Sequence, residues 1–257
     1  MAIKTNLTSM QPSRERLKRS IKLISGGYYA KEKLPGGMLT VHPWDTTVDT
    51  WMLDQFRNNN RPTILWEVVE KLCQLNGLPV EEMTVGDAYT VLLVARAVRS
   101  KNVLQYTSKC PSCGDTELEQ IAVPDGLEKV SEKPVGYPGW DEIILPESKD
   151  AVRVRPLFVK DSLAIAERTP EQKREISENL ASTLCCVVSV GGGTPDSYSE
   201  LVTWYAALDP ADATFLEQEQ ARLSPRLNQA IKHKCGECRA EFSHTINFDQ
   251  EFFRPSV

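Results

Sequence analysis

Cys110-Pro-Ser-Cys113-Gly114 and Cys235-Gly-Glu-Cys238 decide how this chain is read. Each is a C-x₂-C pair with a glycine inside it or just after it. Two such pairs are the pattern of two zinc knuckles, which together make a zinc ribbon. A knuckle turns tightly so that both thiolates face one point. Glycine permits the left-handed backbone angles of such a turn, and proline fixes φ at its start. Cys110, Cys113, Cys235 and Cys238 are therefore the expected metal ligands. Four thiolates in tetrahedral geometry close the site to water and substrate, so the metal is expected to be structural. Zinc is the expected ion, and iron is the other metal that four sulfurs suit.

Working outward, 121 residues separate Cys113 from Cys235. A compact ribbon has roughly 15–20. The metal would tie together two distant parts of the chain, with a sizeable insertion between them. The competing reading is two unrelated pairs, one of them redox-active. A thioredoxin-like pair sits at the start of a helix after a strand. Here both pairs follow extended runs, at 103–107 and 230–234, which favours one shared site. His233 and His244 lie near the second pair and would substitute if one cysteine were not a ligand. Packing or solvation is the plainer expectation for both.

The 257 residues carry a net charge of −5, with 41% hydrophobic and 25% charged side chains. That is the profile of a soluble globular protein. The acidic balance counts against non-specific nucleic-acid binding, which depends on neutralising phosphates. No window approaches the roughly 18 apolar residues of a membrane span, and no apolar signal core follows the N-terminal charges. A reducing cytoplasm, where thiols bind metal, is the expected compartment. Cys73, Cys185 and Cys186 fall in helical apolar patterns and read as small core residues.

The expected fold class is α+β: a split zinc ribbon with a largely helical insertion and an N-terminal strand-helix region. Residues 1–37 read as a basic arm, with Arg14, Arg16, Lys18, Arg19 and Lys22. The spacing there allows a short helix over 14–24, or a solvated tail. Residues 38–100 read as a strand plus a helical region. The strand ends at His42-Pro43-Trp44, and Thr46-Thr47 would cap a helix through Val48, Met52 and Phe56. Thr63 would cap a helix carrying Ile64, Leu65, Val68, Val69, Leu72 and Cys73, ended by Asn76-Gly77. Thr84-Val85-Gly86-Asp87 fits a capping box before a helix that buries a stripe at Ala88, Val91, Leu92, Ala95 and Val98.

Residues 101–123 and 226–250 are the expected ribbon halves, with strands flanking each knuckle. Residues 124–225 are the insertion. It opens with a loop over 124–139 and a hairpin of 143–146 with 152–156, whose prolines suit edge strands. A helix starts near Phe158. Thr169-Pro170-Glu171-Gln172 is a capping box with proline at the first helical position, leading a helix through Ile176, Leu180, Leu184, Val187 and Val188. Gly191-Gly192-Gly193 would stop it, and lacks the Lys and Ser/Thr of a phosphate loop. Leu201, Trp204, Tyr205 and Leu208 line one helix, and Asp209-Pro210 starts another. Residues 251–257 form a tail with Phe252 and Phe253.

No nucleophile elbow, HExxH, Walker or dinucleotide motif is present, and three histidines supply a general-base site poorly. Asp87, Asp161, Asp209 and Asp212 sit at helix starts, where capping and the helix dipole account for them. The chain is expected not to be an enzyme.

Taken in order, a Gly/Pro-containing segment leads into a strand ending His42-Pro43-Trp44 and an acidic helix around Asp49. A helix with Asp87 and Arg96 follows, then a polar strand with Tyr106 into Cys-Pro-Ser-Cys-Gly. A helical insertion, Cys-Gly-Glu-Cys and a closing Phe252-Phe253-Arg254-Pro255 complete the series. This order resembles the baseplate hub subunit family of T4-like, contractile-tailed bacteriophages over residues 26–257. The resemblance implies a structural tail-baseplate protein that joins other baseplate, hub or tail proteins in several symmetric copies. It implies a location in the virion, with host cytoplasm during assembly. No nucleic acid or membrane partner is implied. The alternatives are a nucleic-acid-binding zinc-ribbon accessory protein using the basic arm, and an assembly chaperone absent from the virion.

Overall fold

A computed structural model describes residues 18–44, 48, 50–52, 54–55, 63–74, 77–98, 100–134 and 136–246. The fold is α+β, built from helices and small antiparallel sheets. Strand β1 (Arg19–Lys22) pairs antiparallel with β2 (Met38–Val41), and β2 pairs with β3 (Cys73–Gln74). Between β2 and β3 comes helix α1 (Ile64–Leu72), and after β3 comes α2 (Val85–Val98).

The basic segment is where expectation and structure part. Residues 19–22 are neither helix nor tail: Ile21, Leu23 and Ile24 are all buried in the core. Ile21 and Leu23 recur at period two, which suits a strand. Arg19 donates to the carbonyl of Val123 at 2.7 Å and pairs with Asp125 at 3.1 Å, while Lys22 pairs with Glu132. Both charges are paired within the chain, at its surface. Residues 14–17 lie outside the described residues. The return from β1 to β2 needs Gly37, at φ 70°. A Cβ there would lie 2.6 Å from the Gly26 carbonyl carbon and oxygen, which no side chain permits.

Helix α2 was expected to bury one stripe, but it is buried nearly all round. Asp87, Ala88, Thr90 through Ala95, Ala97 and Val98 are all buried. It is the central rod of the larger core, which a helix without a polar face must be. Thr84 Oγ1 accepts from the Asp87 amide at 3.3 Å, the first half of the expected capping box. The Asp87 carboxylate serves another purpose: it accepts from the Ser25 amide at 3.2 Å, the Ser25 hydroxyl and the Tyr29 hydroxyl at 2.9 Å. Burial pushes its carboxyl above the ordinary range, and the Ser25, Thr84 and Tyr29 bonds partly offset this.

Several boundaries also shift. Thr63 precedes α1, but its hydroxyl donates to Glu67 at 2.9 Å and makes no cap. Cys73 ends α1 and belongs to β3, its thiol donating to the Val69 carbonyl. The expected caps at Thr46-Thr47 and the turn residue Asn76 lie outside the described residues, as does the 251–257 tail.

Hairpin β4 (Val103–Lys109) and β5 (Thr116–Ala122) follows α2. Then β6 (Lys129–Val130) leads into a second, smaller core. There β7 (Asp141–Ile144), β8 (Ala151–Val154) and β9 (Val187–Val190) form an antiparallel sheet in that order. The expected hairpin is present, but β8 is central, not an edge; its proline lies just beyond the last paired residue. Helices α3 (Val159–Ala166), α4 (Pro170–Glu175), α5 (Glu178–Cys185), α6 (Tyr198–Ala206) and α7 (Pro210–Leu223) complete this part. The single helix expected from Thr169 to Val188 is broken. Thr169 makes its capping box, Ser177 caps a second helix, and Val187 and Val188 are in β9. Four residues rich in valine favour a strand, and Gly191-Gly192 turns that strand. Cys186 is buried, whereas Cys185 is half-buried.

The two cores meet where residues 83–85 run beside 157–159: Val85 N donates to Leu157 O and Val159 N to Met83 O, each at 2.9 Å. Tyr28, Tyr29, Tyr137 and Phe158 pack edge to face over this joint. Lys133, 4% exposed, pairs there with Asp141 at 2.8 Å. The chain leaves α7 through β10 (Arg226–Leu227), which pairs with β6, and ends in hairpin β11 (Ala230–Lys234) and β12 (Glu241–Thr245).

Candidate metal centre

Each C-x₂-C pair sits at the tip of one hairpin, and the two tips meet. Cys110 Sγ lies 3.6 Å from Cys238 Sγ, and Cys113 Sγ lies 3.6 Å from Cys235 Sγ. All four sulfurs fall within 4.8 Å of one another. A disulfide needs about 2.05 Å, so these are free thiols held in a cluster. Sulfurs each about 2.3 Å from one tetrahedral ion stand roughly 3.8 Å apart. The cluster therefore fits a metal ion and is compatible with zinc. Cys110 and Cys235 are buried, while Cys113 and Cys238 are exposed.

The two knuckles repeat one backbone design. Cys110 N donates to Asp115 O at 2.8 Å and Gly114 N to Cys110 O at 2.9 Å. In the second, Cys235 N donates to Ala240 O and Arg239 N to Cys235 O, each at 3.0 Å. The left-handed residue is the fourth after the first cysteine in both: Gly114 at φ 78° and Arg239 at φ 60°. Gly236 was expected to supply that angle and does not. Its amide donates to Glu117 Oε1 at 3.0 Å, and a Cβ would lie 2.7 Å from that oxygen, the movable end of a long side chain.

Protonation is shared unevenly among the sulfurs. The Cys113 amide, aided by that of Ser112 and by the neighbouring thiols, draws the Cys110 thiol down to about 6. The Asp115 amide lowers Cys113, but desolvation and the adjacent sulfurs outweigh it and drive that thiol up to about 12. One thiol drawn down beside others pushed up, Cys113 and Cys238, is what a compact cysteine cluster produces before a cation displaces the protons.

His233 and His244 do not join the ligand group. They pack between the hairpins. His233 Nε2 lies 3.0 Å from the Tyr106 hydroxyl, and its Nδ1 is 3.7 Å from Glu119. His244 stacks on Tyr106 with ring centroids 5.0 Å apart, and burial with the nearby His233 lowers its pKa. In β5 the inward residues are Glu117, Glu119 and Ile121, while Leu118 is 70% exposed. Glu117, Glu119 and Tyr106 were not singled out as site residues from the sequence. The signal available was the alternation of Glu117 and Glu119, which shares the phase of Ile121.

The remaining acidic helix-start residues are structural. Asp161 forms a two-point pair with Arg155, at 2.6 and 3.1 Å, and caps α3. Asp209 caps α7. Asp212 is buried in that helix and accepts the amides of Glu147 and Ser148 at 2.7 and 2.9 Å.

Fold and site together define a mixed α+β protein with a four-cysteine cluster able to hold a metal ion. No protein-family model, curated protein or solved structure matches the chain.

Proposed function

We propose that the protein is a zinc-stapled structural scaffold of a phage tail baseplate, present in the virion and holding neighbouring baseplate proteins together. The observation that carries the scaffold reading is the cluster itself. Sulfurs 128 and 122 positions apart in sequence stand 3.6 Å apart in space, each contact joining one hairpin to the other. In this reading the two hairpins are the halves of a split zinc ribbon, and residues 124–225 are its insertion. Cys110, Cys113, Cys235 and Cys238 would hold Zn²⁺ with no position left for substrate, so the ion supplies cohesion and not catalysis.

The baseplate assignment is supported by the order of features along the chain, from His42-Pro43-Trp44 through both knuckles. The internal pairing of Arg19 and Lys22 weighs against a nucleic-acid role for the described part of the basic segment. The test is co-expression of the full chain with the hub, spike and tube proteins of its own genome, followed by affinity isolation and metal analysis. Stable co-isolation with one zinc per chain is expected. Isolation of the zinc-loaded chain without any tail protein would remove the baseplate reading and leave the metal site standing.

A further inference from the structure

Far from the cysteine cluster, helices α3, α4, α5 and α6 enclose an open cavity of about 430 Å³. Its floor is apolar: Ile165 and Ala181 are buried, and Ile176 and Val202 are half-buried. Tyr198, 40% exposed, and the exposed Glu175 stand at its rim. Arg168 borders it from the α3–α4 link. The guanidinium Nη2 donates to the carbonyls of Gln172 and Ile176. Nη1 is sealed from water and has no hydrogen-bond partner among the described residues. Glu175 lines the cavity yet forms no ion pair with Arg168 among the described residues.

A cation with an idle donor at the edge of an apolar chamber is an unbalanced arrangement. Buried polar atoms almost always find partners, and a guanidinium without a counter-ion beside apolar walls is disfavoured. Its fixed fork matches a carboxylate in shape and charge. The volume falls within the range of small-molecule sites, about 300–1,000 Å³. A carboxylate in the lumen would draw the end of the Arg168 side chain round, giving Nη1 an acceptor in exchange for the Nη2 bonds to Gln172 and Ile176. We infer that this cavity binds a small apolar monocarboxylate, its tail against Ile165, Ile176, Ala181 and Val202 and its carboxylate on Arg168. Glu175 at the rim repels a second negative group, which selects one carboxylate over two.

The probe is octanoate, titrated into the full metal-loaded chain by calorimetry and by methyl NMR of the isoleucine, valine and alanine groups. Octanol is the uncharged control. Octanoate is expected to shift the methyls of Ile165, Ile176, Ala181 and Val202, and to bind at least about tenfold more tightly than octanol. R168Q should abolish the preference for octanoate. Because Arg168 also holds the α4 carbonyls, A164W serves as a second variant: it fills the cavity from the exposed Ala164 and leaves Arg168 in place. It should remove binding of both probes. Equal binding of octanol and octanoate, octanoate binding that survives A164W, or no octanoate binding at millimolar concentration would each overturn the inference.

Discussion

Changing Gly86 to Ala sets two effects of opposite sign against each other. Gly86 is the second residue of α2, and alanine in a helix interior is favoured over glycine by about 0.8–1 kcal/mol. Helix propensity alone therefore makes Gly86→Ala stabilising. The structure says otherwise. A Cβ at Gly86 would overlap the carbonyl oxygen of Pro225 and lie 3.1 Å from its carbonyl carbon and 3.2 Å from the Arg226 Cβ. The first two are backbone atoms and cannot rotate away, and proline stiffens the segment further. Overpacking of this kind costs about 1–3 kcal/mol, and the position near the helix start reduces the propensity gain. The net expectation is destabilisation by roughly 1–2 kcal/mol. The displaced segment matters for the site. Pro225 leads into β10, which pairs with β6, and Asn228 N donates to Glu128 O at 2.8 Å just before the second hairpin. Moving Pro225 moves the strand that delivers Cys235. Urea unfolding with cobalt(II) competition against a chromophoric chelator reads both effects: a lower midpoint with unchanged slope, and weaker metal binding. A variant as stable as the parent, or more stable, would refute the close approach as the reason for glycine.

Replacing Cys113 or Cys235 with Ser should each abolish stoichiometric zinc by elemental analysis and lower the melting temperature. Retention of both by both variants would mean the cluster holds no metal. Asp87 has a folded pKa raised above its ordinary 3.8. Its contribution is therefore complete below that value and is lost as pH rises through the folded pKa. Asp87→Asn should flatten this part of the urea midpoint against pH, and an unchanged profile would count against it. Lys133→Met should cost about 3 kcal/mol in urea unfolding, since it leaves Asp141 at the joint without its cation. Adding Asp141→Asn should recover part of that loss, and strict additivity of the two changes would contradict the pairing.

The four cysteines were legible because their chemistry is written in spacing. Residue type, the C-x₂-C interval and flanking extended runs all survive in one dimension. The hairpins at 103–122 and 230–245, the capping box at Thr169 and the Asp209-Pro210 helix start were legible for the same local reason. What failed depended on tertiary context. Ile21, Leu23 and Ile24 fit a helical apolar side or a strand equally well, and β2 decides between them. Val187 and Val188 continued a helical period, but β8 offered the Val187–Val190 segment a ladder. Asp87 read as a helix-start carboxylate because nothing local reveals that Ser25 and Tyr29, about sixty positions earlier, arrive beside it. Arg239 could not be recognised as the left-handed residue of its knuckle, since only the repeated hydrogen bonds expose the equivalence with Gly114.

The distribution of burial explains why the cluster is where cohesion is most needed. Both apolar cores lie away from the hairpin tips. In β5, β11 and β12 the inward residues reach only partial burial and every other residue is exposed. Two-stranded ribbons of this kind are marginal in water by themselves. Among the described residues they are joined by the ring stack of Tyr106, His233, Phe242 and His244, by polar contacts of Gly236 with Glu117 and of His233 with Tyr106 and Glu119, and by the crossed sulfur contacts. Aromatic pairs contribute about 0.5–1.5 kcal/mol each, so the stack supplies a few kcal/mol at most. A structural zinc in a small site contributes about 10–16 kcal/mol. The stack can set the register of one hairpin against the other, and a bound ion then does more than the rings to keep them together. Because each sulfur contact spans the two hairpins, an ion bound there would restrain the chain on both sides of residues 124–225, in addition to the bonds of 83–85 with 157–159 that join the two cores.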